Sequence, residues 1–254
     1  MQCAITSYGE SKEPLVSIFI DKDRKTIYSV DLCKVQNIKI GECVLANDRY
    51  VKYEVTASAS GFMNVINNPK SSDLTKHCAR KKYIDLETPE EYAKNSNSIN
   101  RSDKTWVYNI LDGKAESDRI LFQNDNFVVL PDTRWNPNDG NTDDLYFLAI
   151  IKNRHIKSIR DLTGNDIPLL EDMAKKIPQF AKQKYGINEK FLRMYFHYKP
   201  STWHLHLHIN NINSSKTFSS SIEHAHSIFN VINNLKADRY FYRTATLEVV
   251  KNLD

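Results

Sequence analysis

The run Trp203-His204-Leu205-His206-Leu207-His208-Ile209 constrains this chain more than any other segment. Strict alternation of polar and apolar residues is the two-residue period of a β-strand. On such a strand His204, His206 and His208 share one face, and Leu205, Leu207 and Ile209 point into a core. Neighbouring imidazoles then stand roughly 6–7 Å apart, twice the strand rise. A folding requirement alone rarely sets three imidazoles in a row. Six of the eight histidines lie between positions 197 and 226, so this is where function is expected.

Composition bounds the setting. The chain has 254 residues and 41% hydrophobic content, enough for one large domain or two modest ones. No apolar run reaches the roughly 20 residues that span a bilayer, and the N-terminus lacks the pattern of a signal peptide. The four cysteines, Cys3, Cys33, Cys43 and Cys78, show no metal-type spacing and read as free thiols in a reducing compartment. A net charge of +4 is too small for a long nucleic-acid footprint but suits a compact anionic ligand. The expectation is a soluble intracellular protein.

The expected fold class is α+β. Residues 1–80 read as a β-rich N-terminal domain, with strands at Pro14–Ile20, Thr26–Val30 and Tyr50–Val55. A helix is expected from Ser72 to Tyr83, and residues 81–104 should form a helix and hinge. There Thr88-Pro89-Glu90-Glu91 has the form of a helix start with a capping box. Asn95–Lys104, polar and Ser/Asn-rich, reads as a connecting loop. Residues 105–254 should be a second domain. Its expected strands are Thr105–Leu111, Arg119–Phe122, Phe127–Leu130, Tyr146–Lys152, Phe191–Tyr198, Trp203–Asn210 and Tyr242–Val250. Its expected helices are Asp166–Lys184, which Pro178 could kink, and Ile222–Leu235. The strands flanking Lys199-Pro200-Ser201-Thr202 should pair as an antiparallel hairpin.

Three readings of the histidine row compete. It could be a surface feature of an exposed strand. It could bind zinc, although no Cys, Asp or Glu lies close by to complete a coordination set. Or it could perform covalent catalysis on phosphorus, where a neutral imidazole attacks, flanking imidazoles stabilise charge, and water releases the phosphoryl-histidine. The third needs three imidazoles on one face.

The alternation also resembles the signature of the histidine-triad (HIT) nucleotide hydrolases and transferases. The longer run from Arg193 through Tyr198-Lys-Pro-Ser-Thr-Trp to His208 is similar specifically to the scavenger mRNA decapping (DcpS) family. Trp106-Val-Tyr-Asn-Ile-Leu-Asp, Glu116-Ser-Asp-Arg-Ile, Val129-Leu-Pro-Asp132, Trp135-Asn136, Asp143-Asp-Leu-Tyr146, Ile159-Arg-Asp-Leu-Thr163 and Pro168-Leu-Leu170 extend the likeness in matching order. It covers about residues 47–250.

The resemblance implies a HIT-like antiparallel sheet with helices, and an enzyme that cleaves 7-methylguanosine-capped dinucleotides or short capped oligoribonucleotides. The products would be 7-methyl-GMP and a nucleoside diphosphate, formed without metal or cofactor. It implies His206 as nucleophile and His204 and His208 as flanking groups, with His197 and Ser201 completing the phosphate pocket. Trp106 would stack on the cationic cap base, worth about 1–3 kcal/mol. Glu116 would bind the guanine edge, and Asp132 with Arg134 would hold the ribose and neighbouring groups. Tyr50 and Lys76 would reach the phosphates from a lid, Lys76 lying upstream of the matching Glu87-Thr88 pair. It further implies a homodimer with exchanged N-terminal segments, no DNA or membrane partner, and a cytoplasmic location with nuclear access left open.

The sequence departs from that pattern at Thr202 (usually Tyr), Thr133 (usually aliphatic), Arg134 (usually Lys) and His224 (usually Arg). These changes are expected to weaken cap or phosphate affinity without abolishing chemistry, so that Thr202→Tyr should lower KM. The alternatives are a general HIT hydrolase of dinucleoside polyphosphates, against which Trp106 and Glu116 argue, and a cap-binding module that has lost turnover.

Overall fold

In the computed structural model the described residues are five strands between 16 and 67, as backbone only, together with 82–214 and 220–253. The chain divides into two compact units, 1–81 with 253–254, and 82–252.

The first unit contains a five-stranded antiparallel sheet of β1 (Val16–Asp21), β2 (Thr26–Asp31), β3 (Lys39–Ala46), β4 (Tyr50–Thr56) and β5 (Ser60–Asn67), in the order β1-β2-β5-β4-β3. The three strands expected from sequence are there; β3 and β5 were not anticipated. Tyr50 opens β4, while Lys76 and most of the expected 72–83 helix lie outside the described residues.

The second unit begins with β6 (Lys82–Glu87), which takes Lys82 and Tyr83 away from that expected helix and pairs with the last strand, β13 (Leu247–Asn252). Helix α1 (Pro89–Lys94) starts as the sequence dictates: Thr88 accepts from the Glu91 amide and Glu91 returns a bond to the Thr88 amide. The segment read as a loop instead contains α2 (Ser96–Arg101). It shows no apolar periodicity because Ile99 is its one buried residue, and Lys104 stabilises its end, Nζ donating to the carbonyls of Ile99, Asn100 and Ser102. The expected strand at Thr105–Leu111 is also a helix, α3. Its β-branched and aromatic residues suggest a strand, but Val107 and Ile110 are buried at helical spacing against Val128, Leu130 and Ile150.

The central sheet has six antiparallel strands: β7 (Phe122–Gln123), β8 (Phe127–Pro131), β9 (Tyr146–Ile151), β10 (Leu192–His197), β11 (His206–Asn211) and β12 (Ala225–Ser227), ordered β12-β10-β11-β9-β8-β7. Ser117–Arg119 is a short 3-10 turn rather than the start of a strand. Between β9 and β10 runs α4 (Ile167–Tyr185), unbroken through Pro178 because Leu170, Met173, Ile177 and Ala181 anchor one face in the core. Gly186, at φ 71°, ends it in the left-handed conformation that a side chain would strain. Helix α5 (Ile228–Ala237) begins later than expected because 225–227 extend the sheet, and α6 (Phe241–Thr244) takes the start of the last expected strand.

The two faces of this sheet differ. One carries Phe147, Ala149, Ile151, Leu207, Ile209, Met194 and Phe196 into the main core with α4 and α5. By register the other carries Tyr146, Leu148 and Ile150 on β9 opposite Asn210, His208 and His206 on β11, with Tyr195 of β10 opposite His208. Helix α3 packs on the β8–β9 part of this second face, and the histidines occupy its neighbour. Among the described residues no helix is long and apolar enough to cross a membrane.

Candidate active site

The alternation places Leu205, Leu207 and Ile209 in the core as expected. The imidazoles depart from a regular row. Strand β11 begins at His206, so His204 lies in the preceding loop, where its amide donates to the Thr202 carbonyl at 2.9 Å. The rings of His206 and His208 are 5.0 Å apart, closer than a flat strand would set them. All three histidines are buried.

For His204 and His206, hydrogen bonds to carbonyl oxygens define which nitrogen carries the proton. His206 Nδ1 lies 2.7 Å from the His204 carbonyl oxygen. A carbonyl only accepts, so Nδ1 holds the proton and Nε2 keeps its lone pair. Burial lowers the His206 pKa below the ordinary histidine value, against the opposing pull of that carbonyl and of Asp132. The ring is thereby neutral and nucleophilic at Nε2. His204 Nε2 lies 2.7 Å from the Ile151 carbonyl at the end of β9, and burial takes its pKa down to about 4. His208 Nδ1 lies 2.8 Å from the Tyr146 hydroxyl, and burial with neighbouring imidazoles and Arg134 holds His208 well below the ordinary value.

More imidazoles flank His208. His197, on β10, has its ring centre 4.0 Å from that of His208, and His224 stacks on His197 at 4.4 Å and 25°. His224 Nδ1 is 3.1 Å from the Tyr198 carbonyl, and burial lowers its pKa. At the position where the resemblance expects an arginine, this chain therefore extends the histidine cluster.

Trp106, on α3, is half-buried, and its indole Nε1 donates to Thr202 Oγ1 at 3.2 Å. Thr202 thus anchors Trp106. Glu116 sits at φ 53°, left-handed backbone that is costly for a residue with a β-carbon. Arg119 pairs with its carboxylate and donates to the Pro131 carbonyl at 3.0 Å, tying Glu116 to the residue before Asp132. Asp132 holds Arg134 with two bonds, Oδ1 from Nε at 2.9 Å and Oδ2 from Nη2 at 3.2 Å. Thr133 between them is exposed. Ser201 is exposed in the loop 198–205 that joins β10 to β11. The structure thus gathers His204, His206, His208 and His197 and fastens Trp106 to their loop. Tyr50 belongs to the other unit, and Lys76 lies outside the described residues.

Two side chains that contact the site or its loop escaped the sequence reading. Tyr146, the tyrosine in an otherwise apolar strand, receives an Arg134 Nη2 bond at 2.9 Å and contacts His208. Arg160 is buried beneath the 198–205 loop, with Nε 3.2 Å from the Tyr198 hydroxyl and Nη2 3.3 Å from Glu87 Oε1. Lys199 and Tyr198 also pair with Glu87. Both lie in stretches quoted above, as part of a motif and not as single residues.

A buried neutral imidazole, two further imidazoles beside it, and a tryptophan anchored to their loop are the features of a protein of the histidine-triad class. Comparison with known proteins narrows the class. A family profile described as "Scavenger mRNA decapping enzyme C-term binding" matches residues 105–224. The m7GpppX diphosphatase of Ascaris suum is 37% identical over 214 residues, covering 80% of this chain and 70% of that protein. The human m7GpppX diphosphatase is 42% identical over 153 residues, 59% of this chain and 44% of that protein. The Schizosaccharomyces pombe one is 27% identical over 247 residues, covering 91% and 81%. Among solved structures, Hnt3 in complex with DNA and guanosine overlaps 54% of this chain and 79% of that one at 15% identity and TM-score 0.36, too loosely to bear on function. The chain belongs to the scavenger mRNA decapping family of m7GpppX diphosphatases.

Proposed function

We propose that the chain hydrolyses the 5′–5′ triphosphate of 7-methylguanosine-capped dinucleotides and short capped oligoribonucleotides, releasing 7-methyl-GMP and a nucleoside diphosphate. The observation that carries this reading is the His206 tautomer: with Nδ1 committed to the His204 carbonyl, Nε2 is the nucleophilic atom. Its lone pair attacks the phosphorus next to 7-methylguanosine, a P–N bond forms, and the P–O bond to the diphosphate breaks with its electron pair leaving on oxygen. Water then attacks the histidine-nucleotide and restores the imidazole. His204, His208 and His197 surround the charge that develops. Trp106 supplies an electron-rich face for the cationic base, and Glu116, pre-set by Arg119, accepts from the guanine edge.

Under the same reading the active form is a homodimer in the cytoplasm, with the five-stranded unit as lid and Tyr50 and Lys76 reaching the phosphates. Sedimentation of the pure chain tests the dimer: a monomer at micromolar concentration removes it. The activity is tested by incubating the protein with 7-methyl-GpppG in EDTA beside His206→Asn. The expected result is 7-methyl-GMP plus GDP from the wild type alone. Equal cleavage of unmethylated GpppG would point to a general dinucleoside polyphosphate hydrolase, and cap binding without product would leave a binding module.

A further inference from the structure

The row of imidazoles continues past the triad. From His206 the ring centres step 5.0 Å to His208, 4.0 Å to His197 and 4.4 Å to His224, the last pair stacked at 25°. The row thus runs from the nucleophile across β11 and β10 to the residue before β12. His224 is fastened there through Tyr198, whose amide donates to the His224 carbonyl at 2.9 Å. In return, His224 Nδ1 lies 3.1 Å from the Tyr198 carbonyl oxygen. A carbonyl only accepts, so Nδ1 carries a proton and the lone pair of the neutral ring is at Nε2. Nε2 has no hydrogen-bond partner among the described residues, so a second proton can add there without breaking a contact.

The charged and titratable groups around His224 are Glu223 beside it in the chain, Lys82 of β6, His226 of β12, and the imidazoles of His197 and His208. Burial, with Lys82, keeps His224 below the ordinary histidine value, while the Tyr198 carbonyl and Glu223 pull the other way. A phosphate oxygen at Nε2 reverses that balance, because an adjacent anion favours the charged ring and accepts its new N–H. We propose that His224 is a further phosphate-binding residue, neutral in the free protein at neutral pH, that takes a proton from solvent as the phosphates bind. Nε2 then donates a charge-assisted bond at the far end of the row, away from the phosphorus that His206 attacks. An arginine there would carry its charge at every working pH; the histidine makes phosphate affinity rise as pH falls. The inference rests on the decapping reading for its substrate, but proton uptake can be read with a bare phosphate ligand.

Calorimetric titration of the full chain with inorganic pyrophosphate, in two buffers of different ionisation enthalpy, counts the protons exchanged on binding. The wild type should take up more protons than His224→Arg, which controls for titration of the pyrophosphate itself. His224→Arg should also bind pyrophosphate more tightly at pH 8, and that gap should narrow toward pH 6 by up to about tenfold per pH unit. A second readout needs no variant to perform: in 1H–13C spectra of histidine-labelled wild type, the titration midpoint of His224 should rise when pyrophosphate is added. The signal missing from His224→Asn identifies it. A midpoint that does not rise, equal proton uptake by wild type and His224→Arg, or no pyrophosphate binding at all overturns the proposal. With 7-methyl-GpppG, KM should climb more steeply from pH 6 to pH 8 in wild type than in His224→Arg, with parallel kcat profiles; superimposable KM profiles overturn it too. Proton uptake as expected, without turnover of the capped dinucleotide, would sustain the proposal and count against the decapping reading.

Discussion

Arg160→Met should destabilise the 82–252 unit severely. The Arg160 side chain is 1% exposed and satisfies the carbonyls of Tyr242 at 3.0 Å, Glu87 at 2.8 Å and Ala245, besides the Glu87 carboxylate and the Tyr198 hydroxyl. Removing one partner of a buried ion pair costs about 3–5 kcal/mol, because the remaining charge stays buried. Glu87 keeps Lys199, whose side chain is 31% exposed, so the lower half of that range, about 3–4 kcal/mol, is expected. For a domain of this size that is a fall in Tm of roughly 6–16 °C. All three tryptophans, Trp106, Trp135 and Trp203, lie in this unit, so tryptophan fluorescence during urea or thermal unfolding reports on it alone. The mechanism makes a second demand: Glu87→Leu added to Arg160→Met should recover about 1 kcal/mol or more, since it removes the orphaned charge. A single variant within about 1 kcal/mol of wild type, or a double variant that loses the sum of both, would refute the buried-charge account. The 198–205 loop stands on this network, so kcat/KM on a capped dinucleotide should fall in the single variant even at temperatures where it is folded.

Two smaller perturbations test the site. Thr202→Val keeps the shape but removes the acceptor of the Trp106 N–H, a bond worth about 0.5–1.5 kcal/mol, so KM for the cap should rise roughly 2- to 10-fold with kcat little changed; a flat KM would mean that the bond does not set the indole. Acidification should destabilise the fold well before the carboxylates titrate. Burial holds His204 and His226 at about 4 in the folded chain, against about 6.5 unfolded, so the stability they contribute is complete above about pH 6.5 and is lost as pH falls from there toward 4. Each histidine gives a slope of up to about 1.4 kcal/mol per pH unit in that window; urea midpoints that hold steady or rise between pH 6.5 and 5 would contradict it.

The capping box at Thr88–Glu91, the strands around the histidines and the apolar partners of the triad are local patterns, and each was legible residue by residue. The family was legible as well, because its motifs run in order along the chain. Where local preference and tertiary packing disagree, reading failed. Thr105–Leu111 has the residues of a strand, yet it is helical because Val107 and Ile110 must both reach Val128, Leu130 and Ile150. Ser96–Arg101 has no pattern to read, and its helix end depends on one lysine that folds back on its carbonyls.

The sequence by itself determined that three imidazoles would gather on one side of a sheet, since alternation is a property of the backbone. Only the three-dimensional structure decided which nitrogen of His204 and of His206 bears the proton. That depends on what each ring meets: the carbonyl of His204 for His206, and the carbonyl of Ile151 for His204. The Ile151 carbonyl that fixes His204 lies 53 residues away in the chain, and such a contact leaves no periodicity in the sequence.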